Sequence, residues 1–186
     1  MHELRELNLQ DNKIKCAEGF HSYPKLEELN LSGNPISMIF PGAFKQNDLL
    51  LNLHLNDVKF RWPKEDLIFL KQLEGSLTLL SMANAFPKKN LEETNYFKFL
   101  KMEVLDELNL SDNGIITILG IGTIAPNLQI LNLKKNRIFS VECIEELHKL
   151  PDISEVNFLE NPICCHKHLK EMITDVVPEI EVINNT

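Results

Sequence analysis

The chain is short of the residues that most enzymes, metal sites and targeting segments need. Four cysteines in 186 residues, at positions 16, 143, 164 and 165, are too few and too unevenly spread for a disulfide framework, so reduced thiols are expected. Seven glycines leave no glycine-rich phosphate loop, and no His-Glu-x-x-His pattern occurs. No stretch comes near the roughly 20 consecutive apolar residues that span a bilayer, and the opening MHELRELNLQD has no apolar signal core. These absences predict an intracellular chain, cytoplasmic with the nucleus also open. Positive charge is scarce as well. Nineteen Lys and Arg against 27 Asp and Glu leave a net charge of −8. Without clustered basic side chains, direct nucleic-acid contact is disfavoured and a basic or amphipathic protein segment is the expected partner.

What is present is a repeated pattern. LRELNLQDNKI from Leu4, LEELNLSGNPI from Leu26 and LDELNLSDNGI from Leu105 nearly superimpose, and further copies start at Leu50, Leu77, Leu128 and Ile153. A partial copy, IEVI, starts at Ile180. The seven copies begin 22 to 28 residues apart, inside the roughly 20–29 residues of a leucine-rich repeat. The chain therefore resembles the leucine-rich repeat family over essentially its whole length. That resemblance implies an α/β solenoid with a curved parallel sheet on its concave face and short helices and turns on its convex face. Residues 1–163 are read as repeats, with irregular insertions at 61–76 and 86–104, and 164–186 as a carboxy-terminal cap.

Each residue type in a copy has a physical reason. The alternation L-x-L makes a short strand with leucines inward and the intervening residue outward. The asparagine that follows sits where the chain turns, and its amide can satisfy backbone groups that would otherwise be buried unpaired. Asn12, Asn34, Asn113, Asn136 and Asn161 should thus form a ladder, broken where Val58 and Ala85 stand instead. In the irregular middle, residues 63–74 place Leu67, Leu70 and Leu73 on one face after Pro63, which predicts a helix. Residues 90–102 open with Asn90 and Glu93 in capping-box spacing and predict a second one. Trp62 is expected to pack against a helix rather than bind a ligand.

The stretch NPICCHKH at 161–168 has the look of half a metal site, but no second Cys-His pair balances it. Leu169, Met172, Ile173 and Val176 follow at i, i+3, i+4 and i+7, a helical stripe that ends before Pro178. The tail also resembles the cap of an intracellular subfamily that includes the regulatory subunit of type-1 protein phosphatase, the spliceosomal A-prime protein and axonemal repeat proteins. Asn161, Pro162, Ile163, Cys164 and His166 match that cap, while Lys167, Leu169 and Lys170 depart from it. The resemblance implies that Cys164 is a small buried hydrophobe and that His166 fixes a turn, with no metal and no cofactor.

The outward strand positions define the candidate site. They comprise Glu6, Asn8, Glu28, Asn30, His54, Leu79 and Ser81, and then Glu107, Asn109, Ile130, Asn132, Glu155, Asn157 and Leu159. This surface is acidic and amide-rich with apolar spots, suited to steering a basic segment and burying part of it. His54 and Asp57 are the nearest thing to an acid–base pair, and no nucleophile stands in register with them. The expected function is a non-catalytic protein–protein interaction module, with assembly roles in cilia or the cytoskeleton, or phosphatase regulation, implied by the resemblance. The alternatives are a structural segment of a longer protein and a splicing ribonucleoprotein assembly factor. Leu4, Leu7, Leu9 and Ile14 have no preceding cap, so upstream residues or a partner should cover that end.

Overall fold

The computed structural model describes residues 3–60, 66–86, 97 and 99–184. Each repeat contributes one three-residue strand: β1 (Glu6–Asn8), β3 (Glu28–Asn30), β5 (Asn52–His54), β6 (Leu79–Ser81), β7 (Glu107–Asn109), β8 (Ile130–Asn132) and β9 (Glu155–Asn157). An eighth, β10 (Val182–Asn184), continues the sheet past the last full repeat, and all neighbours are parallel. The register aligns Leu7, Leu29, Leu53, Leu80, Leu108, Leu131, Val156 and Ile183 in one inward row. From Leu29 to Val156 every member is buried, whereas Leu7 and Ile183 at the two ends of the sheet are half-buried. Leu4, Leu9 and Ile14 are likewise half-buried. A parallel pair on the flank, β2 (Cys16–Ala17) with β4 (Met38–Ile39), ties the first two repeats together.

The asparagine ladder forms from Asn34 to Asn161 and carries the stack. Asn136 is typical: its amide donates to the carbonyls of Leu110 and Leu133 at 3.0 and 2.8 Å. Its oxygen accepts from the backbone N–H groups of Asn113 and Ile115, both at 3.0 Å. Asn34 and Asn161 repeat the same reach into the preceding coil. Asn12, in the first repeat, is exposed and bonds only to carbonyls of its own turn, Leu9 and Gln10. At the break, Val58 and Ala85 are buried in the ladder's place, and an outer set of bonds substitutes. Asn56 accepts from the Ser81 hydroxyl and the Ala83 N–H, and Asn84 donates to Asp57 at 2.7 Å.

The residue before each ladder position adopts a left-handed backbone: Asp11, Gly33, Asp57, Asn84, Asp112, Lys135 and Glu160. Glycine, Asn and Asp tolerate that region, but Lys135 and Glu160 sit there at a cost. Lys135→Gly is expected to raise stability by about 0.5 kcal/mol, the relief of strain less glycine's larger entropy loss on folding. Gly33→Ala should do the opposite, because a Cβ there would stand 2.1 Å from the Asp11 carboxylate at φ +69°. Denaturant midpoints with an unchanged slope check both.

The return segments form the convex side. They comprise 3₁₀ helices at Phe20–Ser22, Ile68–Gln72, Val141–Lys149 and Pro162–Cys165, and the α-helices α1 (Ile121–Ile124) and α2 (Leu169–Val176). Within the described part of the helix predicted over 63–74, Asp66 is α-helical and a 3₁₀ helix of five residues follows, Ile68–Gln72. The predicted inward face holds, with Leu67, Leu70 and Leu73 all fully buried. A tighter turn suffices because the coil needs only to carry three leucines inward before re-entering the sheet. Trp62, Pro63 and the capping box of Asn90 and Glu93 lie outside the described residues.

Beneath these segments runs a row of phenylalanines. Phe20 stacks on Phe44 with centroids 5.2 Å apart, and Phe44 meets Phe69 at 5.5 Å. The row continues through Phe60 and Phe86 to Phe97. At the far end α2 packs on the Val141–Lys149 helix, with Leu169 and Ile173 buried and Met172 and Val176 half-buried.

Candidate docking surface on the sheet

Strand alternation turns two rows of side chains outward, and the register fixes which residues stand beside each other. The first row reads Glu6, Glu28, Asn52, Leu79, Glu107, Ile130, Glu155 and Val182. The second reads Asn8, Asn30, His54, Ser81, Asn109, Asn132, Asn157 and Asn184. Of the fourteen outward residues singled out from the sequence, the thirteen other than Leu159 lie in these rows. Leu159 follows two residues after β9, half-buried. Val182 and Asn184 were missed, although the partial repeat at Ile180 already carried the signal: the same pattern laid over it puts both residues outward.

The two rows do different work. Asn8, Asn30, Asn109, Asn132 and Asn157 each accept a hydrogen bond from the backbone N–H two residues on, at 3.0 to 3.1 Å. Their oxygens thus close the turn leaving the strand, and what they offer outward is the NH₂ end. Some of these donors are already placed: Asn30 on the Gln10 amide oxygen and Asn109 on the Ser81 hydroxyl.

The first row is where the surface varies. Leu79, Glu107, Ile130 and Glu155 stand on four adjacent strands, so apolar and acidic side chains alternate at strand spacing, about 4.8 Å. Around the middle of this run the sheet is dished. A depression of about 220 Å³ gathers His54, Leu79, Ser81, Glu107, Asn109, Ile130 and Asn132, with Leu80 and Leu108 at its base. Seven of the sequence candidates are thereby brought together, and Glu6, Asn8, Glu28, Asn30, Glu155, Asn157 and Leu159 lie outside that depression. Asp57 does not act with His54, since its carboxylate takes the Asn84 amide in the turn after β5.

The cysteine-rich tail packs against the last repeat. Cys164 is half-buried rather than fully buried, because its thiol turns back to the Phe158 carbonyl at 2.9 Å. Cys165 is exposed. His166 is exposed too, and its Nδ1 accepts from the His168 N–H at 3.4 Å, so it contributes to the turn weakly. His168 is drawn instead to Glu171, 2.6 Å away in the first turn of α2. Burial pushes the Cys143 thiol up from its ordinary pKa. Among the described residues, no three His, Cys, Asp or Glu side chains converge as a metal site would require, and no helix is long and apolar enough to cross a membrane.

Comparison with known proteins agrees with this geometry. The family model described as leucine-rich repeats in two copies matches residues 2–42. Trophoblast glycoprotein of Macaca fascicularis is 28% identical over 92% of this chain and 45% of its own length. Leucine-rich repeat-containing protein 23 of Homo sapiens is 30% identical over 87% of this chain and 44% of its own. Tubulin-specific chaperone cofactor E-like protein of Rattus norvegicus is 26% identical over 97% of this chain and 50% of its own. The chain spans about half the length of the curated relatives it matches. Among solved structures, a leucine-rich repeat protein of Leptospira interrogans superposes with a TM-score of 0.68 at 23% identity, over 96% of this chain and 48% of that one. Seven repeated strands, a shared inward row of leucines, an asparagine ladder and these similarities agree: the chain has the leucine-rich repeat fold.

Proposed function

We propose that the chain is a non-catalytic interaction module whose concave sheet face docks a protein segment carrying both basic and aliphatic side chains. The observation that carries this is the run Leu79, Glu107, Ile130, Glu155 across four neighbouring strands. From Glu6 to Asn52 the first row is acidic or amide, which solubility alone accounts for, and Val182 ends it on the last strand. Half-buried aliphatic side chains on an open sheet have no such reason to be there. A segment crossing the strands would bury aliphatic groups over Leu79 and Ile130 while its lysines or arginines meet Glu107 and Glu155.

Within that reading we place the module in a cytoskeletal or ciliary assembly. Support comes from the relative named as a tubulin-specific chaperone cofactor E-like protein, and from α2 and β10, which cover the last repeat as the cap of the intracellular subfamily does. Phosphatase regulation and ribonucleoprotein assembly belong to the same subfamily, and the acidic face favours them less than a basic protein partner. A role as one segment of a longer protein is supported by the half-length coverage of the relatives.

Proximity labelling in cells tests this, comparing the chain with its Leu79→Asp/Ile130→Asp variant. Both changes are on the outward row, so the melting temperature should move little, and labelling of the partner should fall about tenfold or more. An unchanged partner list would overturn the proposal.

A further inference from the structure

A second surface lies away from the sheet, where α2 crosses the 3₁₀ helix Val141–Lys149. The two elements leave between them a groove of about 260 Å³. Its floor is aliphatic, with Val141 and Ile144 from one helix and Met172 and Val176 from the other. The stripe on α2 is thus divided in use. Leu169 and Ile173 are spent on the interior, at 1% and 0% exposure, while Met172 and Val176 stay half-open to the groove.

The rim is of one sign. Glu142, Glu145 and Asp175 line it, all exposed, and no lysine or arginine does. Nearby carboxylates have partners: Glu146 pairs with Lys149 at 3.0 Å, Glu160 with Lys134 at 3.1 Å, and Glu171 lies against the His168 ring. Among the described residues none of the three rim carboxylates takes part in an ion pair. Three uncompensated negative charges around an aliphatic slot repel anionic lipid and nucleic acid, and attract a cationic group that can also fill the floor.

We propose that this groove is a separate docking site for a protein segment presenting aliphatic side chains flanked by lysines or arginines. It works independently of the concave face, since it shares no residue with it.

Two fluorescein-labelled amphipathic peptides, one of leucine and lysine and its leucine–glutamate twin, serve as probes of the whole chain. Anisotropy reports affinity, and the Met172 methyl resonance reports the place. The lysine peptide should bind and shift Met172, and the glutamate twin should not. Glu142→Lys/Glu145→Lys/Asp175→Lys should weaken binding about tenfold at low salt, and Glu145→Lys alone about threefold. Glu107→Lys on the concave face should leave the Met172 shift intact. No binding, equal binding of both peptides, or binding that leaves Met172 unmoved and is lost with Glu107→Lys overturns the proposal. The last outcome would still favour the concave face, so the two surfaces fail separately.

Discussion

Asn136→Ala is expected to destabilise the chain by about 3–5 kcal/mol, far more than the average surface substitution. The side chain is 5% exposed and holds backbone groups from two coils. Without it, the N–H groups of Asn113 and Ile115 lose their acceptor, and the Leu110 and Leu133 carbonyls lose a donor. The Leu133 carbonyl keeps the Asn161 amide at 2.8 Å, and the other three groups are left near their full desolvation cost. Asn136→Leu fills the space without restoring the bonds and should be as damaging. Asn12→Ala is the internal control: that residue is exposed and bonds within its own turn, so its loss should cost under about 1 kcal/mol. Urea unfolding of the three variants checks the ordering. Equal small losses at positions 12 and 136 would mean that the ladder does not bind the coils together.

The second large effect is expected at Phe44. Its ring is fully buried, stacked on Phe20 and tilted against Phe69. Phe44→Ala removes a side chain shared by three successive coils and should cost about 3–5 kcal/mol, with a cavity that short 3₁₀ segments are poorly able to close. Phe44→Leu keeps most of the volume and should cost roughly half as much. A double-mutant cycle with Phe20 should show about 0.5–1.5 kcal/mol of coupling from ring contact itself.

These two sites mark what the sequence does and does not disclose. The ladder was legible because each asparagine recurs at a fixed offset from leucines whose strand period is set by geometry, and its break at Val58 and Ala85 could be read the same way. The phenylalanine row was not. Its members fall at different offsets within their repeats, and they meet because the coils stack, which no local pattern encodes. The left-handed turn before each ladder position was hidden for a related reason: Lys135 and Glu160 occupy it against their preference, so residue type there gave no sign. Over 63–74 three leucines on one face suit a 3₁₀ turn as well as an α-helix over so short a span, so the pattern alone did not fix the type of helix at Ile68–Gln72. On the surface, the outward rows followed from strand alternation alone. What alternation could not show is that the oxygens of Asn8, Asn30, Asn109, Asn132 and Asn157 are taken up by their own turns, which shifts weight onto Leu79, Glu107, Ile130 and Glu155.

The most direct measurement is photo-crosslinking in cells from a benzophenone side chain placed at position 130, compared with one at Thr123 in α1 on the convex side. If the concave face is the docking surface, position 130 should crosslink to a segment containing lysine or arginine beside aliphatic residues, more weakly at high salt, and position 123 should give no such product. Equal crosslinking from both positions, or capture of an acidic segment at position 130, would contradict it.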